Sequence, residues 1–163
     1  MNGLIGRALT REPPRNKRQK TTMTDYNEFM LRSCGSWISY RRYLFGPQRS
    51  AGEYTTVFDI EHTGGNDYKI SWSGKTDGVM EVVVDGDELR RSRSYFGPDD
   101  GTTYQVMAWI DPDTVVFRTS YDGDSYREEI RFLDDNTRLR QTVGRDLETN
   151  EITLVGQYFE ERK

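Results

Sequence analysis

From residue 36 onward, hydrophobic and polar residues alternate in short runs, with a period of two rather than the 3.6 of a helix. Clusters of Gly, Asp, Asn and Pro interrupt the alternation and are typical of tight turns. The pattern predicts strands near residues 36–45, 53–61, 67–74, 78–85, 88–96, 103–110, 114–121, 125–133, 136–143 and 151–161. Closing such a meander removes its exposed edges. We therefore predict an all-β fold, a ten-stranded antiparallel up-and-down β-barrel with room for one small ligand. A β-sandwich is the alternative.

One segment before the first strand shows helical spacing instead. Its shared face consists of Tyr26, Phe29, Met30 and Ser33. Thr24 is the predicted N-cap and Gly35 ends the segment, so a short N-terminal helix is expected to lead into the barrel. Aromatic residues make up 12% of the 163 residues, which suits strands better than a helical bundle.

Residues 1–22 carry six Lys or Arg, one Glu and the pair Pro13-Pro14, without periodicity. This composition predicts a disordered basic arm preceding a barrel domain at 23–163. Three interpretations stand: a solvated tail, a targeting arm, or translated sequence upstream of a start at Met23. The arm has a net charge of +5, which leaves −9 on the barrel within a total of −4. A barrel of that charge repels nucleic acid, so no nucleic-acid partner is expected.

Cys34 and His62 are the only residues of their kinds, which excludes an intramolecular disulfide and makes a His/Cys metal site improbable. No run is long and apolar enough to cross a membrane as a helix, and no secretory signal is evident. We expect a protein that is not secreted and has no membrane partner. Phosphate loops, nucleophile elbows and Ser/His pairs are also missing, so hydrolytic chemistry built on His is not expected.

Two strands carry charged residues on a face that also bears core residues. Glu128 alternates with Tyr126, Ile130 and Phe132, so it is predicted to point inward and to need a partner or a proton. Arg41 shares a face with Trp37, and inside the barrel it would need an anion. A solvated position at the barrel mouth is the alternative for Arg41, and an internal salt bridge is the alternative for Glu128.

The ninth strand gives a different prediction. Alternation there places Leu139 inward and sends Arg138 and Arg140 outward. In the fifth strand, Arg90, Arg91 and Arg93 are interpreted as a solvated edge or a docking patch. Both interpretations rest on the pattern alone.

Several motifs together resemble a known family. Gly35-Ser36-Trp37 is similar to the Gly-x-Trp with which lipocalins begin their barrel. The segments that carry the family resemblance are 29–41, 70–72, 79–81, 126–132 (Tyr-Arg-Glu-Glu-Ile-Arg-Phe), 137–140 (Thr-Arg-Leu-Arg) and 154–162. Over about residues 24–162 the chain resembles the S/U-type (CpcS/CpeS-like) phycobiliprotein chromophore lyases. That resemblance implies a lipocalin or fatty-acid-binding-like barrel that attaches a bilin, a linear tetrapyrrole, to a cysteine of a phycobiliprotein.

The resemblance also implies roles for individual residues. Glu128 and Arg138 are the implied catalytic pair, and both arginines of the ninth strand turn inward, against the pattern. The implied bilin-binding residues are Arg41, Arg140, Trp72, Met80 and Trp37. The bilin is a bound substrate, no other cofactor or metal is required, and the implied partner is an apo-phycobiliprotein subunit, with a homodimer left open. The short segment between Glu53 and Asp67 favours phycoerythrobilin and a phycoerythrin acceptor. The implied location is the cytoplasm of a cyanobacterium or phage-infected cell, or a plastid stroma.

Two other functions remain open at this point. The first is a non-catalytic intracellular carrier that binds a fatty acid, another lipid carboxylate or a bilin through Arg138 and Arg140. The second is a structural β-domain with a filled interior.

Overall fold

The computed structural model describes residues 25–46, 50–93 and 104–163, and within them it is a closed antiparallel barrel preceded by one helix. The elements are α1 (Tyr26–Ser33), β1 (Gly35–Phe45), β2 (Ser50–Gly64), β3 (Asp67–Ser73), β4 (Gly78–Asp85), β5 (Glu88–Arg93), β6 (Tyr104–Asp111), β7 (Thr114–Tyr121), β8 (Asp124–Phe132), β9 (Thr137–Asp146) and β10 (Ile152–Arg162). Each strand pairs with the next in sequence, and β10 pairs with β1 to close the barrel. The predicted ten-stranded up-and-down barrel is confirmed, and the sandwich is excluded.

Helix α1 begins one residue later than the sequence pattern indicates. Asp25, not Thr24, is the N-cap, and its side chain accepts a 2.8 Å hydrogen bond from the backbone N–H of Asn27. The helix ends at Cys34 in extended backbone, followed by Gly35 at φ +122°, a conformation that favours glycine. This abrupt turn lets the chain pass from the helix directly into β1.

The hairpin between β7 and β8 shows how the Asp-Gly pairs shape the barrel. Asp122 and Gly123 both have positive φ, 51° and 82°. Two positive φ values at the centre of a two-residue loop are what a type I′ turn requires, and its twist matches that of the strands it joins. The turn therefore fixes the register that sets Phe117 opposite Glu128.

The half of the barrel next to α1 is filled by side chains. Phe29 of the helix packs against Trp109, Phe117 and Phe132, with ring centroids 5.6–5.9 Å apart. Trp37 is fully buried, and its indole N–H donates to the backbone oxygen of Ser33 at 2.9 Å. We call this end the closed half, because the helix plugs it.

The other half of the interior is reachable by solvent. Its inward side chains are buried only in part, in contrast to those of the closed half. They include Arg41, Tyr43, Tyr54, Trp72, Met80, Arg91, Tyr121, Tyr126, Glu128 and Arg140. We call this end the open half, and it is where a ligand has access.

The predictions for residues 1–22 lie outside the described residues. Among the residues that are described, α1 is the only helix, and its eight residues are too few to span a membrane.

Candidate functional site

The open half contains a hydrogen-bonded group centred on Glu128 of β8. The Glu128 side chain is 16% exposed, and its Oε2 accepts a 2.6 Å bond from Arg140 Nη2 and a 3.0 Å bond from Thr142 Oγ1. Both donors come from β9, in which Thr142 lies directly opposite Glu128. Among the described residues, no side chain donates to the second oxygen, Oε1. The carboxylate is thus held on one side and retains acceptor capacity on the other.

Arg140 is fixed between two carboxylates. Besides its bond to Glu128, its Nη1 lies 3.9 Å from Glu160 Oε1. Burial opposes the charge of this guanidinium, but the two carboxylates outweigh it and raise the pKa of Arg140. Arg140 Nε is buried without a hydrogen-bond partner. Arg140 is therefore permanently cationic, and its Nε–H is a hydrogen-bond donor without a partner among the described residues.

Arg138 occupies the closed half instead. It is 2% exposed, and its Nε donates to Glu160 Oε2 at 2.5 Å while its Nη1 donates to Ser33 Oγ at 3.2 Å. Its guanidinium carbon lies 4.4 Å from the ring centroid of Trp37. Arg138 thus ties the helix to β9 and β10, and neither it nor Trp37 has exposed surface for a ligand.

Glu160 of β10 joins the two halves. It is fully buried, and its Oε1 accepts a 3.0 Å bond from Ser39 Oγ while Oε2 pairs with Arg138. Burial alone would raise the pKa of this carboxyl, but Arg138 and Arg140 lower it below its usual range. Ser39 Oγ in turn accepts a 3.1 Å bond from Arg41 Nε. A continuous chain of polar contacts therefore runs from the helix through Arg138, Glu160 and Ser39 to Arg41.

The pattern-based prediction for the ninth strand is wrong. Leu139 is 42% exposed on the outer surface, whereas Arg138 and Arg140 point inward as the family resemblance implies. The reason is that Glu128 and Glu160, on the two flanking strands, supply the anions that buried arginines require. The internal salt bridge considered for Glu128 is present, with Arg140.

The interpretation of β5 also needs correction. Arg91 shares the inward face with the buried Leu89 and lies opposite the buried Val82, so it faces the interior rather than a solvated edge. Burial lowers the pKa of Arg91, and Tyr121 and Glu128 offset part of that effect. Arg90 does stay near the surface, where it pairs with Asp85 at 3.3 Å and also with Glu88.

Trp72 and Met80 lie where the resemblance implies, on neighbouring strands of the open half, partly buried against the core. The Trp72 ring lies over Gly78, where an added Cβ would come within 2.2 Å of it. Glycine at that position allows the indole to lie flat along the wall. The pair forms an apolar surface that contrasts with the charged side around Glu128.

A depression of about 850 Å³ lies on the outer face of β1, β2, β8, β9 and β10. Most of its lining consists of outward residues such as Tyr40, Leu139 and Phe159. Four inward residues also line it: Arg41, Tyr54, Arg140 and Tyr158. Tyr40 and Phe159 stack with centroids 6.4 Å apart. Alternate residues point to opposite faces, and Glu128 is not among the residues that line this depression.

The described residues contain no cluster of three or more His, Cys, Asp or Glu side chains suited to a metal ion. The groups that converge in the open half are instead guanidinium, carboxylate, hydroxyl and aromatic groups. Such groups can bind an organic molecule that is partly charged and partly aromatic.

Comparison with known proteins finds similar sequences and similar barrels. Residues 85–163 match the model of the CpeS-like protein family. A putative chromophore lyase, CpcV, from Picosynechococcus sp. is 27% identical over 82% of this chain and 79% of that protein. A putative phycocyanobilin lyase, CpcS 2, from Nostoc sp. is 25% identical over 83% of this chain and 89% of its own. The S-type phycobiliprotein lyase CPES from Guillardia theta superposes with a TM-score of 0.68 at 19% identity, covering 92% of this chain and 98% of that one. Residues 85–163 are thus similar to the CpeS-like family, and the two sequence relatives are named as putative chromophore lyases.

The sequence pattern did not identify Glu160 and Arg91 as parts of this interior. Glu160 and Tyr158 follow Gly156 at two-residue spacing, so the alternation in β10 was the available signal. The run of arginines in β5 obscured the inward position of Arg91, because neither of its faces is apolar throughout.

Proposed function

We propose that this protein is a bilin lyase that binds a linear tetrapyrrole in the open half of its barrel and delivers it to a cysteine of a phycobiliprotein subunit. The observation that carries the proposal is that side chains of the described residues hydrogen-bond only one of the two carboxylate oxygens of Glu128. With Oε2 held by Arg140 and Thr142, Oε1 is available to accept bonds from pyrrole N–H groups. The names of the relatives, which are chromophore lyases, agree with this chemistry.

The charge of the interior supports a ligand with two carboxylates. Arg41, Arg91, Arg138 and Arg140 point into the described interior, together with the carboxylates of Glu128 and Glu160. Inward guanidinium groups suit the two propionates of a bilin. Since Arg138 and Arg140 pair with carboxylates, we assign propionate binding to Arg41. The resemblance gives that part to Arg41, Arg138 and Arg140 together.

The reaction needs no nucleophile from this chain. The sulfur of the acceptor cysteine forms a bond with the exocyclic carbon of the ring A ethylidene, and the thiol proton passes to the adjacent ring carbon. Nothing leaves and no oxidant is required. Glu128 would stabilise a protonated, more electrophilic bilin, while Trp72 and Met80 pack on the ring faces and keep the chromophore extended. Arg138 contributes through position, because it supports Glu160 and the helix.

For the chromophore we propose phycoerythrobilin, with a phycoerythrin subunit as acceptor. The support is the short segment between Glu53 and Asp67, which resembles the phycoerythrin-directed branch of the family. Equal titrations with phycoerythrobilin and phycocyanobilin test this choice, and a higher transfer yield with phycocyanobilin would reverse it.

Mixing the purified protein with bilin and then with apo-phycobiliprotein tests the function itself. We expect a red-shifted, fluorescent complex, followed by a thioether adduct on the acceptor that is visible by mass spectrometry. Displacement of a bound fatty-acid probe without bilin transfer would indicate the carrier instead. If neither bilin binding nor displacement of the fatty-acid probe were observed, the remaining alternative, a structural β-domain with a filled interior, would be favoured.

A further inference from the structure

Tyr158 of β10 lies between the two arginines that flank the candidate site. It is 6% exposed, and its ring centroid is 5.5 Å from the guanidinium carbon of Arg41 and 5.1 Å from that of Arg140. Its ring also meets Tyr43 edge-on at 5.4 Å. The aromatic face thus separates two cations that would otherwise repel each other, and each of them gains a cation–π contact.

Gly156 makes this placement of Tyr158 sterically allowed. A Cβ at residue 156 would lie 2.3 Å from the Tyr158 hydroxyl oxygen and 3.2 Å from a ring carbon of Tyr43. The tyrosine therefore folds back along its own strand over a glycine. Tyr54 of β2 is placed similarly over Gly52, with its hydroxyl 2.5 Å from the corresponding Cβ position.

The two tyrosines differ in what their hydroxyl groups contact. Tyr158 donates to Thr142 Oγ1 at 3.3 Å, and Thr142 donates to Glu128 Oε2 at 3.0 Å. The Tyr54 hydroxyl instead accepts a 3.0 Å bond from Lys75 Nζ. Burial raises the pKa of Tyr158, although Arg140 lowers it in part, so the hydroxyl remains a protonated donor. Only Tyr158 is connected to the carboxylate.

We propose that Tyr158 is a positioning residue for Glu128, acting through Thr142. This inference rests on the proposed bilin-binding function and extends it. The Thr142 hydroxyl has one proton, and accepting from Tyr158 orients that proton toward Glu128 Oε2. Donation to Oε2 fixes the carboxylate plane, so that Oε1 is presented to the pyrrole N–H groups. Without the tyrosine hydroxyl, Thr142 is free to rotate, and of the described donors Arg140 alone holds the carboxylate.

The test compares Tyr158→Phe with Tyr40→Phe, which removes one hydroxyl from a tyrosine on the outer face of β1. Tyr158→Phe should lower the bilin transfer rate at saturating bilin about fivefold, the value of one ordinary hydrogen bond, and reduce the red shift of the complex. Bilin affinity should change less than twofold. Tyr40→Phe should leave transfer rate and red shift at wild-type values, and Thr142→Val should reproduce the effect of Tyr158→Phe.

A double variant separates positioning from general packing. In the Glu128→Gln background, removing the Tyr158 hydroxyl should produce little further loss of transfer, because the carboxylate it orients is gone. An equal fivefold loss in both backgrounds, or the same loss from Tyr40→Phe, would overturn the proposal. If the protein did not bind bilin at all, the wild type itself would show no red-shifted complex. That result would refute the proposed function and, with it, the role of Tyr158. Circular dichroism of each variant checks that the barrel is intact.

Discussion

Breaking the Arg138–Glu160 pair is expected to destabilise the barrel rather than simply weaken ligand binding. The pair is 2% and 0% exposed, with 2.5 Å between Arg138 Nε and Glu160 Oε2, and Ser33 and Ser39 complete its hydrogen bonds. Removing one partner leaves the other charge buried without compensation, at a cost of about 3–5 kcal/mol. Domains of this size have unfolding free energies of roughly 5–15 kcal/mol. A single substitution at either position should therefore remove a large part of the stability.

Urea unfolding followed by circular dichroism measures this effect. Arg138→Met and Glu160→Gln should each lower the free energy of unfolding by about 3–5 kcal/mol. The double variant Arg138→Met/Glu160→Leu should lose much less than the sum, since apolar side chains can replace a buried pair. Glu161→Gln, on the outward face next to Glu160, is the matched control and should change stability by less than about 0.5 kcal/mol.

Two results would contradict the expected coupling of Arg138 and Glu160 in the stability of the barrel. If the losses of the single variants added up in the double variant, the two side chains would not be coupled. If Arg138→Met kept wild-type stability but lost bilin binding, Arg138 would contact the ligand directly, as the family resemblance implies.

Three further predictions concern pH, the thiol and the N-terminal arm. Because the pKa of Glu160 is lowered in the fold, its contribution is complete above the unfolded value of about 4.3 and is lost as pH falls through the folded value. Acid unfolding should thus be steeper for the wild type than for Arg138→Met/Glu160→Leu. Cys34→Ser should still transfer bilin, since burial raises the pKa of Cys34 and its Sγ lies 3.4 Å from the backbone oxygen of Met30; a bilin adduct on Cys34 during turnover would contradict this. Starting the chain at Met23 should leave bilin titration and transfer unchanged, and loss of soluble, bilin-binding protein would show that the arm takes part in folding.

The fold could be predicted from the sequence because alternation and turn chemistry act locally. Asp-Gly pairs such as Asp122-Gly123 mark the hairpins, and the period of two marks the strands between them. Glu128 could be placed inward for the same reason, since its same-face neighbours Ile130 and Phe132 belong to the core. The helix cap was missed by one residue because Thr24 and Asp25 are both good capping residues.

The polar interior could not be predicted in the same way, because it depends on partners that are distant in sequence. Arg138 meets Glu160 across a strand pair, 22 residues away, and Ser33 from the helix, 105 residues away. A pattern in β9 alone favours Leu139 as the inward residue, since it contains no information about the carboxylates on β8 and β10. Only the closed barrel brings these charges together, and it also determines that Arg140, rather than Arg138, reaches Glu128.

Bilin titration and transfer by Glu128→Gln, compared with Glu129→Gln, show directly whether Glu128 binds and activates the bilin. The two residues are adjacent, but Glu128 faces the open half, whereas Glu129 lies on the outer face among Arg127 and Arg131. Charge-assisted hydrogen bonds contribute about 1.5–3 kcal/mol, so Glu128→Gln should lower the transfer rate roughly ten- to a hundredfold and diminish the red shift, with a smaller loss of affinity. Glu129→Gln should behave like the wild type. A folded Glu128→Gln variant with wild-type red shift and transfer would contradict the proposed role of Glu128.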